Sequence, residues 1–273
     1  MLAEILSNKK ISEGYCLMQG VCPGLTTEIV PGQFAMLKVT NGNDLFLRRP
    51  FSFHRISYRG ATPIFEILYG VVGPGTQIMA AMKAGQVVDI IAPLGRGFSF
   101  APDLRTAIIV AGGMGIAPFV FLLEEIKKTN QHKTDTIVLY GAQSKNDILE
   151  IERLTRLSAR VKICTEDGSL GYRMRVTELL EQYLQNAEKN EPDQKAVSIF
   201  ACGPYGMLKS TSVIAEQFHV SCGVSLQTPM ACGFGACLGC VVKVHENDGA
   251  SLGYALACQE GPVFNSKRII WDE

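Results

Sequence analysis

The stretch MACGFGACLGC, from Met230 to Cys240, constrains this chain more than any other. Cys232 and Cys237 are separated by four residues and Cys237 and Cys240 by two, and Cys258 follows after a polar interval. One loop that supplies three thiolates and a later segment that returns a fourth is the ligand spacing of a [2Fe-2S] cluster. Such a loop wraps a small inorganic core with its amides turned inward. Gly233, Gly235 and Gly239 suit that task, because glycine tolerates positive φ and lets amide hydrogens approach sulfurs that gain negative charge on reduction. Structural zinc and a disulfide pair are the alternatives. Zinc sites usually pair their cysteines as two C-x2-C knuckles, which the three-plus-one arrangement fits poorly.

The rest of the chain sets the frame for that loop. Its 273 residues, 47% of them hydrophobic, are enough for two or three domains with cores of their own. Lysine plus arginine and aspartate plus glutamate balance at 26 each, so no basic excess points to nucleic acid. Nine cysteines behind an N-terminus, MLAEILSNKK, that lacks a signal-peptide core predict a reducing, cytoplasmic location. Residues Ala107 to Leu123 carry no charge. Their central glycines and Pro118 predict a buried strand, tight loop and helix rather than a membrane span.

Two rhythms divide what remains. Up to about Pro102, short apolar or alternating runs such as EIVPGQFAMLKVT, PFSFHRIS, PIFEILYGVV and GQVVDIIAPLG are broken by Gly, Pro and Asn, which predicts a small antiparallel barrel over residues 1–102. From Ala107, TAIIVAGG, DTIVLYGAQ, RVKICTEDG and AVSIFACGP read as strands, and PFVFLLEEIKK and VTELLEQYL as helices. That alternation predicts an open parallel α/β domain over 103–220, with NAEKNEPDQK as a solvated turn. Residues 221–273 then form a small cysteine-bearing unit. The fold class is multidomain, α+β and α/β.

Three further patterns carry chemistry. AGGMGIAP follows the strand TAIIV and opens a helix, so its backbone amides can face a nucleotide's phosphates, with Pro118 as the first helical residue. ACGP ends a strand at the same carboxyl edge, which puts Cys202 where a nicotinamide would lie, although a cysteine there also serves as a small core residue. In the first domain, Arg48, Arg49 and Ser52 of LRRPFSF and Gly73, Gly75 and Thr76 of GVVGPGTQI combine a guanidinium fork, hydroxyls and a glycine turn, a set able to bind a pyrophosphate.

RPFS, GPGT, GGMGIAP and CGP in that order resemble the ferredoxin-NADP reductase superfamily. The added MACGFGACLGC and the later CQEGPVF, Cys258 to Phe264, resemble its branch of electron-transfer subunits from two-subunit, NAD-dependent dihydroorotate dehydrogenases, over nearly the full length. The resemblance implies FAD on the barrel, bound through Arg49, Pro50, Phe51, Ser52, Gly75 and Thr76. It implies NAD as exchangeable substrate at Gly112, Gly113, Gly115 and Pro118, and Cys202 near the nicotinamide. It implies cluster ligation by Cys232, Cys237, Cys240 and Cys258. Two departures stand out: Phe51 replaces a tyrosine common in the superfamily, and Gly70 stands where a basic residue is often found.

The implied function is a relay in pyrimidine biosynthesis, in which electrons pass between the FMN of a dihydroorotate-oxidising partner and NAD through the cluster and FAD. The implied assembly is a heterotetramer of two subunits of each kind. Other readings are the flavin subunit of a bifurcating NADH-dependent ferredoxin-NADP oxidoreductase or of a sulfhydrogenase, and a non-enzymatic cluster-bearing sensor. Glu166 and Asp167 can favour NAD by bonding a ribose hydroxyl, or can merely form an acidic turn. Cys16, Cys22, Cys164 and Cys222 receive no role. His54, His132, His219 and His245 are scattered without metal-ligand spacing, as expected for surface or satisfied core positions.

Overall fold

The structure is a computed structural model that describes residues 1–25, 28–40, 45–129, 134–158, 160–188, 196–246 and 251–272. His132 and residues 189–195 of the expected solvated turn lie outside the described residues. The N-terminal part contains β1 (Leu2–Ser12), β2 (Tyr15–Val21), β3 (Phe34–Lys38), β4 (Arg49–Ser52), β5 (Arg55–Arg59), β6 (Thr62–Gly70), α1 (Pro74–Ala81) and β7 (Val87–Leu94). The seven strands form one antiparallel sheet in the order β4-β3-β7-β1-β2-β6-β5. Its edges, β4 and β5, are consecutive in the chain. Only Phe53 and His54 join them, with Phe53 N donating to Gln33 O and His54 N to Glu66 O. The chain itself thus draws the two edges together, as a barrel requires.

The α/β part follows with β8 (Thr106–Gly112), α2 (Phe119–Thr129), β9 (Asp135–Ala142), α3 (Ile151–Leu157), β10 (Arg160–Thr165), β11 (Tyr172–Arg173), α4 (Val176–Glu188), β12 (Val197–Cys202), α5 (Tyr205–Gln217) and β13 (Ser221–Ser225). Beyond it come β14 (Val241–His245), β15 (Leu252–Leu256) and β16 (Val263–Asn265). The second sheet runs β11-β10-β9-β8-β12-β13-β16, parallel except for the β16 edge, and β14 and β15 form a separate hairpin. The expected boundary at residue 220 differs from this pairing. β13 joins β12 in parallel from Ser198↔Ser221 to Cys202↔Ser225, and β16 adds to β13, so the α/β sheet takes two strands from the region expected to be separate. SCGVS is too short and mixed for its periodicity to reveal a central-sheet partner. Among the described residues, no helix is long and apolar enough to cross a membrane.

Burial follows strand periodicity. On β8, Ile108 and Val110 face the core that includes the cysteine-bearing segment, while Ala107, Ile109 and Ala111 face the opposite core. A parallel sheet covered on both faces accounts for the continuous apolar run TAIIVAG. β3 is likewise buried on both sides. Ala35 and Leu37 enter the barrel core, whereas Phe34 and Met36 join the core of Cys240 and Cys258.

Candidate redox site

The glycine turn after β8 is a 3-10 turn, Gly113–Ile116, and α2 begins three residues later, with Leu122 N donating to Pro118 O. Pro118 therefore stands just ahead of the helix rather than as its first residue. Gly113 has φ +52. A Cβ at Gly115 would overlap the Cys202 carbonyl, and one at Gly112 would lie 2.6 Å from Met207 Sδ and 2.8 Å from Pro204 Cδ. GGMG and CGP are thus in direct contact at the carboxyl edge of adjacent strands, where α/β sheets bind ligands.

Cys202 is beside this turn. Part of the residue remains open to solvent while its sulfur is packed in, and that burial pushes the thiol up to about 11 against a hydrogen bond with Ser225. It is a neutral thiol at physiological pH.

On the barrel, Arg49 and Gly75 meet: a Cβ at Gly75 would lie 2.7 Å from Arg49 Nε. Arg49 also donates to the carbonyls of Leu45, at 3.2 Å, and Leu47. Thr76 differs from expectation. Its hydroxyl accepts from Val72 N and Gly73 N and donates to Gly73 O at 3.0 Å, so the donor assigned to phosphate is spent inside the turn before α1. Arg48 is engaged as well, with its guanidinium 2.5 Å from the Asp89 carboxylate, which it holds below the usual carboxylate range. Phe51 is partly buried, edge-on to Tyr69 at 5.9 Å. Pro50 is exposed and Ser52 half-buried, in register with Met36 and Phe34 of β3.

The cysteine loop supplies the third element. Gly233 and Gly235 have φ +81 and +91, the left-handed conformation their positions call for. Burial opposes ionisation of Cys232, yet the amides of Phe234, Cys237 and Ala236 and the Cys237 thiol converge on its sulfur and bring it down to about 6. Cys258 is pushed up to about 12 by burial and by the adjacent Cys240. Cys258 N approaches Cys240 Sγ at 3.4 Å and Gly239 N approaches Cys237 Sγ at 3.5 Å. The thiols therefore associate as Cys232 with Cys237 and Cys240 with Cys258, with loop amides aimed at sulfur. Two thiolates for each of two irons is the donor set a binuclear cluster takes up. Cys240 and Cys258 are buried, while Cys237 lies on an exposed rim with Phe234 and Leu238.

Two contacts without any motif connect these elements. A Cβ at Gly233 would overlap Met36 Cγ, so the cluster loop rests on β3, whose Met36 faces Pro50 of the flavin motif across the ladder. On the other side, His54 Nδ1 lies 2.7 Å from Ala117 O in the nicotinamide turn. Gln259 braces the loop, its amide donating to Phe234 O at 3.3 Å. None of Met36, His54 or Gln259 was assigned from sequence, because only the folded topology brings each to its partner.

Residues 227–270 match the family described as the iron-sulfur cluster binding domain of dihydroorotate dehydrogenase B, and residues 109–212 match the oxidoreductase NAD-binding domain. The dihydroorotate dehydrogenase B (NAD(+)) electron transfer subunit of Desulforamulus reducens is 34% identical over 270 residues, 99% of this chain and 98% of that protein. The chain belongs to the family of dihydroorotate dehydrogenase B electron transfer subunits. The family member of Enterococcus faecalis is 37% identical, with 88% of this chain and 86% of that protein aligned. In fold, the chain is similar to an NADH-dependent reduced ferredoxin-NADP oxidoreductase structure, solved in connection with flavin-based electron bifurcation, at TM-score 0.81 and 24% identity, covering 100% of this chain and 91% of that one. A ferredoxin NADP+ reductase from Neisseria gonorrhoeae, solved with bound FAD and NADP, gives TM-score 0.64 at 20% identity, covering 80% and 91%.

The remaining candidates have structural surroundings. Cys16, Cys22, Cys164 and Cys222 are buried, and all nine cysteines are free thiols. Burial pushes Cys164 up to about 11 and Cys222 up to about 12. His54 is fully buried and His219 exposed, while His245 has a buried Nδ1 without a hydrogen-bond partner. Glu166 and Asp167 are exposed at the carboxyl end of β10. Asp167 accepts from Ser169 N and Oγ at 2.9 and 2.6 Å, closing its own turn, and those bonds hold its carboxyl below the usual range.

Proposed function

We propose that this protein passes electrons between a nicotinamide nucleotide and the FMN of a dihydroorotate-oxidising partner subunit, through FAD and a [2Fe-2S] cluster, in cytoplasmic pyrimidine biosynthesis. The observation that carries this reading is the double attachment of the flavin-motif strand. β4 is linked to the cluster loop through Met36 and Gly233, and to the nicotinamide turn through His54 and Ala117. A bound flavin exchanges electrons with nicotinamide as hydride and with an iron-sulfur centre singly, so it belongs between the two.

The chain's own residues would divide the work as follows. Arg49 and the Gly75 turn hold the flavin's phosphates, with Pro50, Phe51 and Ser52 along its ring-binding strand and Thr76 shaping the turn. Gly112, Gly113 and Gly115, ahead of Pro118, leave room for the nicotinamide nucleotide, and Cys202 presents a neutral thiol beside it. Cys232, Cys237, Cys240 and Cys258 hold the cluster, and the exposed rim of Phe234, Cys237 and Leu238 is the side from which a partner's prosthetic group can approach. The assembly is a heterotetramer of two subunits of each kind. Domain limits of 1–102, 103–220 and 221–273 describe the division of roles, with β13 and β16 shared into the central sheet.

An anaerobic visible spectrum before and after NADH tests the relay. Flavin and cluster absorbance are expected to bleach together, and a protein that stays colourless after reconstitution with FAD, iron and sulfide would overturn it. Dihydroorotate oxidation by this chain alone would overturn the assignment of that chemistry to the partner. For nucleotide choice, Glu166 is the carboxylate free to meet the ribose, because Asp167 is committed to Ser169. Glu166→Gln is expected to raise the NADPH to NADH rate ratio several-fold and Asp167→Asn to leave it unchanged, on the order of a lost charge repulsion at an exposed site.

A further inference from the structure

Between the barrel and the α/β domain, four side chains, two from each domain, form a chain of polar contacts whose two ends are tied into a ring by a backbone hydrogen bond. His54 and Glu66 come from the barrel. Glu150 and Arg153 flank the start of α3. His54 Nε2 approaches Glu150 Oε2 at 3.4 Å, Glu150 pairs with Arg153 at 3.3 Å, Arg153 donates to Glu66 at 2.8 Å, and His54 N donates to Glu66 O at 2.8 Å. His54 has no exposed surface and the Glu66 residue is 4% exposed. A buried polar ring of this kind is rigid when every member is satisfied.

The ring holds His54 for one use. A carbonyl oxygen only accepts, so the 2.7 Å contact with Ala117 O fixes a proton on Nδ1. Glu150, whose carboxylate only accepts, takes a hydrogen bond from Nε2–H, so with both contacts made the imidazole carries both protons and is held from each side. Glu150 adopts the left-handed conformation, φ +60 and ψ +21, which costs a non-glycine residue about 1 kcal/mol and is kept when surrounding contacts determine it. The Ala117 carbonyl is available because the hydrogen bonds of α2 begin at Pro118. His54 is two residues beyond Ser52, and Ala117 two beyond Gly115.

We infer that His54 is a positioning residue for hydride transfer: its Nδ1 hydrogen bond to Ala117 sets the nicotinamide turn in register with the flavin-motif strand. This rests on the relay reading and adds to it a residue that touches neither nucleotide nor flavin. A small displacement of such a turn is expensive in rate, since about 1 Å of misplacement can cost about a hundredfold. Because the ring acts on the turn rather than on nucleotide contacts, it governs the transfer step more than affinity.

Two conservative variants of the full, cofactor-loaded chain separate the nitrogens. In His54→Asn the amide stands near the Nδ1 position and keeps the Ala117 bond; in His54→Gln it reaches toward Glu150 and loses that bond. Stopped-flow reduction of the flavin by NADH is expected to stay within about twofold of the original in His54→Asn and to fall about tenfold or more in His54→Gln, with little change in NAD affinity by calorimetry. Equal rates in the two variants would overturn the inference, as would a loss confined to affinity. If the original protein is not reduced by NADH, the relay reading fails, and hydrogen exchange over residues 113–117 decides the His54 contact separately. Faster exchange in His54→Gln than in His54→Asn supports it, and identical exchange overturns it.

Discussion

The barrel meets its two neighbours through junctions that both pack apolar side chains and differ in what is added to them. Toward the α/β domain, ion pairs overlie apolar packing: Phe121 enters the barrel core and Leu68 the α/β core, while Arg55 bonds Glu124 at 2.8 Å, Arg153 bonds Glu66 at 2.8 Å, and His54 and Glu150 complete the charged set. Toward the cluster segment the contact is backbone and apolar. Arg96 N donates to Gly261 O at 2.5 Å, Arg96 bridges Pro262 in parallel, and Gly233 rests on the fully buried Met36. Interlocked backbone transmits displacement and tolerates none of its own, whereas the partly solvated Arg55–Glu124 pair at the margin of the buried His54 ring can separate and reform. The first arrangement suits a fixed spacing between flavin and cluster. The second suits a nucleotide site that must admit and release its substrate.

The largest expected effect comes from wedging the interlocked junction. Gly95 has φ +72, and a Cβ there would lie 2.5 Å from Gly261 O and 2.7 Å from Pro262 Cδ, a backbone carbonyl and a proline ring that cannot swing aside. Gly95→Ala is expected to cost about 3 kcal/mol, combining the left-handed penalty with overpacking. Urea unfolding and iron content measure it. A loss below about 0.5 kcal/mol would mean the junction yields, and the contrast would fail.

This junction also explains what could be read from sequence. CQEGPVF was recognisable as a tail following the last ligand, and the structure gives Gly261 and Pro262 their physical task, docking on Gly95 and Arg96. Ligand spacing in the cysteine loop was legible because it is local: consecutive residues must surround one object. GGMG and CGP were legible because strand ends in an α/β sheet share an edge. Met36 and His54 were not, since each acts on a residue far along the chain and looks like ordinary core or a scattered histidine until topology supplies the partner. Thr76 shows the converse. Its hydroxyl had a local partner in Gly73, and local hydrogen bonding competes with any ligand.

At the charged junction, Glu66→Gln removes a nearly buried carboxylate shared by Arg55 and Arg153. Breaking a fully buried ion pair costs about 3–5 kcal/mol, but both arginines are partly solvated and keep Glu124 and Glu150 as partners, so about 2 kcal/mol is expected. Raising salt to about 1 M, where the screening length is about 3 Å, should shrink this difference and leave that of Gly95→Ala unchanged. Equal salt response in the two variants would erase the distinction between the junctions.

The smallest effect is also the most selective. The Glu150 carboxyl is held below its ordinary value of 4.5 by the hydrogen bond with His54, against burial, with the positive charges of His54, Arg153 and Arg156 adding to the pull. A carboxyl depressed in the folded state contributes stability that is present above 4.5 and lost as pH falls through the lower folded value. The difference in stability between the original protein and Glu150→Gln should therefore shrink as pH falls below about 4.5, the direction linkage requires. Cluster loss in acid affects both proteins and cancels in the difference. Hydrogen exchange locates the change. Amides around Ala117 and the start of α3 should open first on acidification, while the Arg96 amide bonded to Gly261 stays protected. If that amide opened together with the Ala117 turn, the two junctions would form one cooperative unit and the nicotinamide half could not move independently of the cluster.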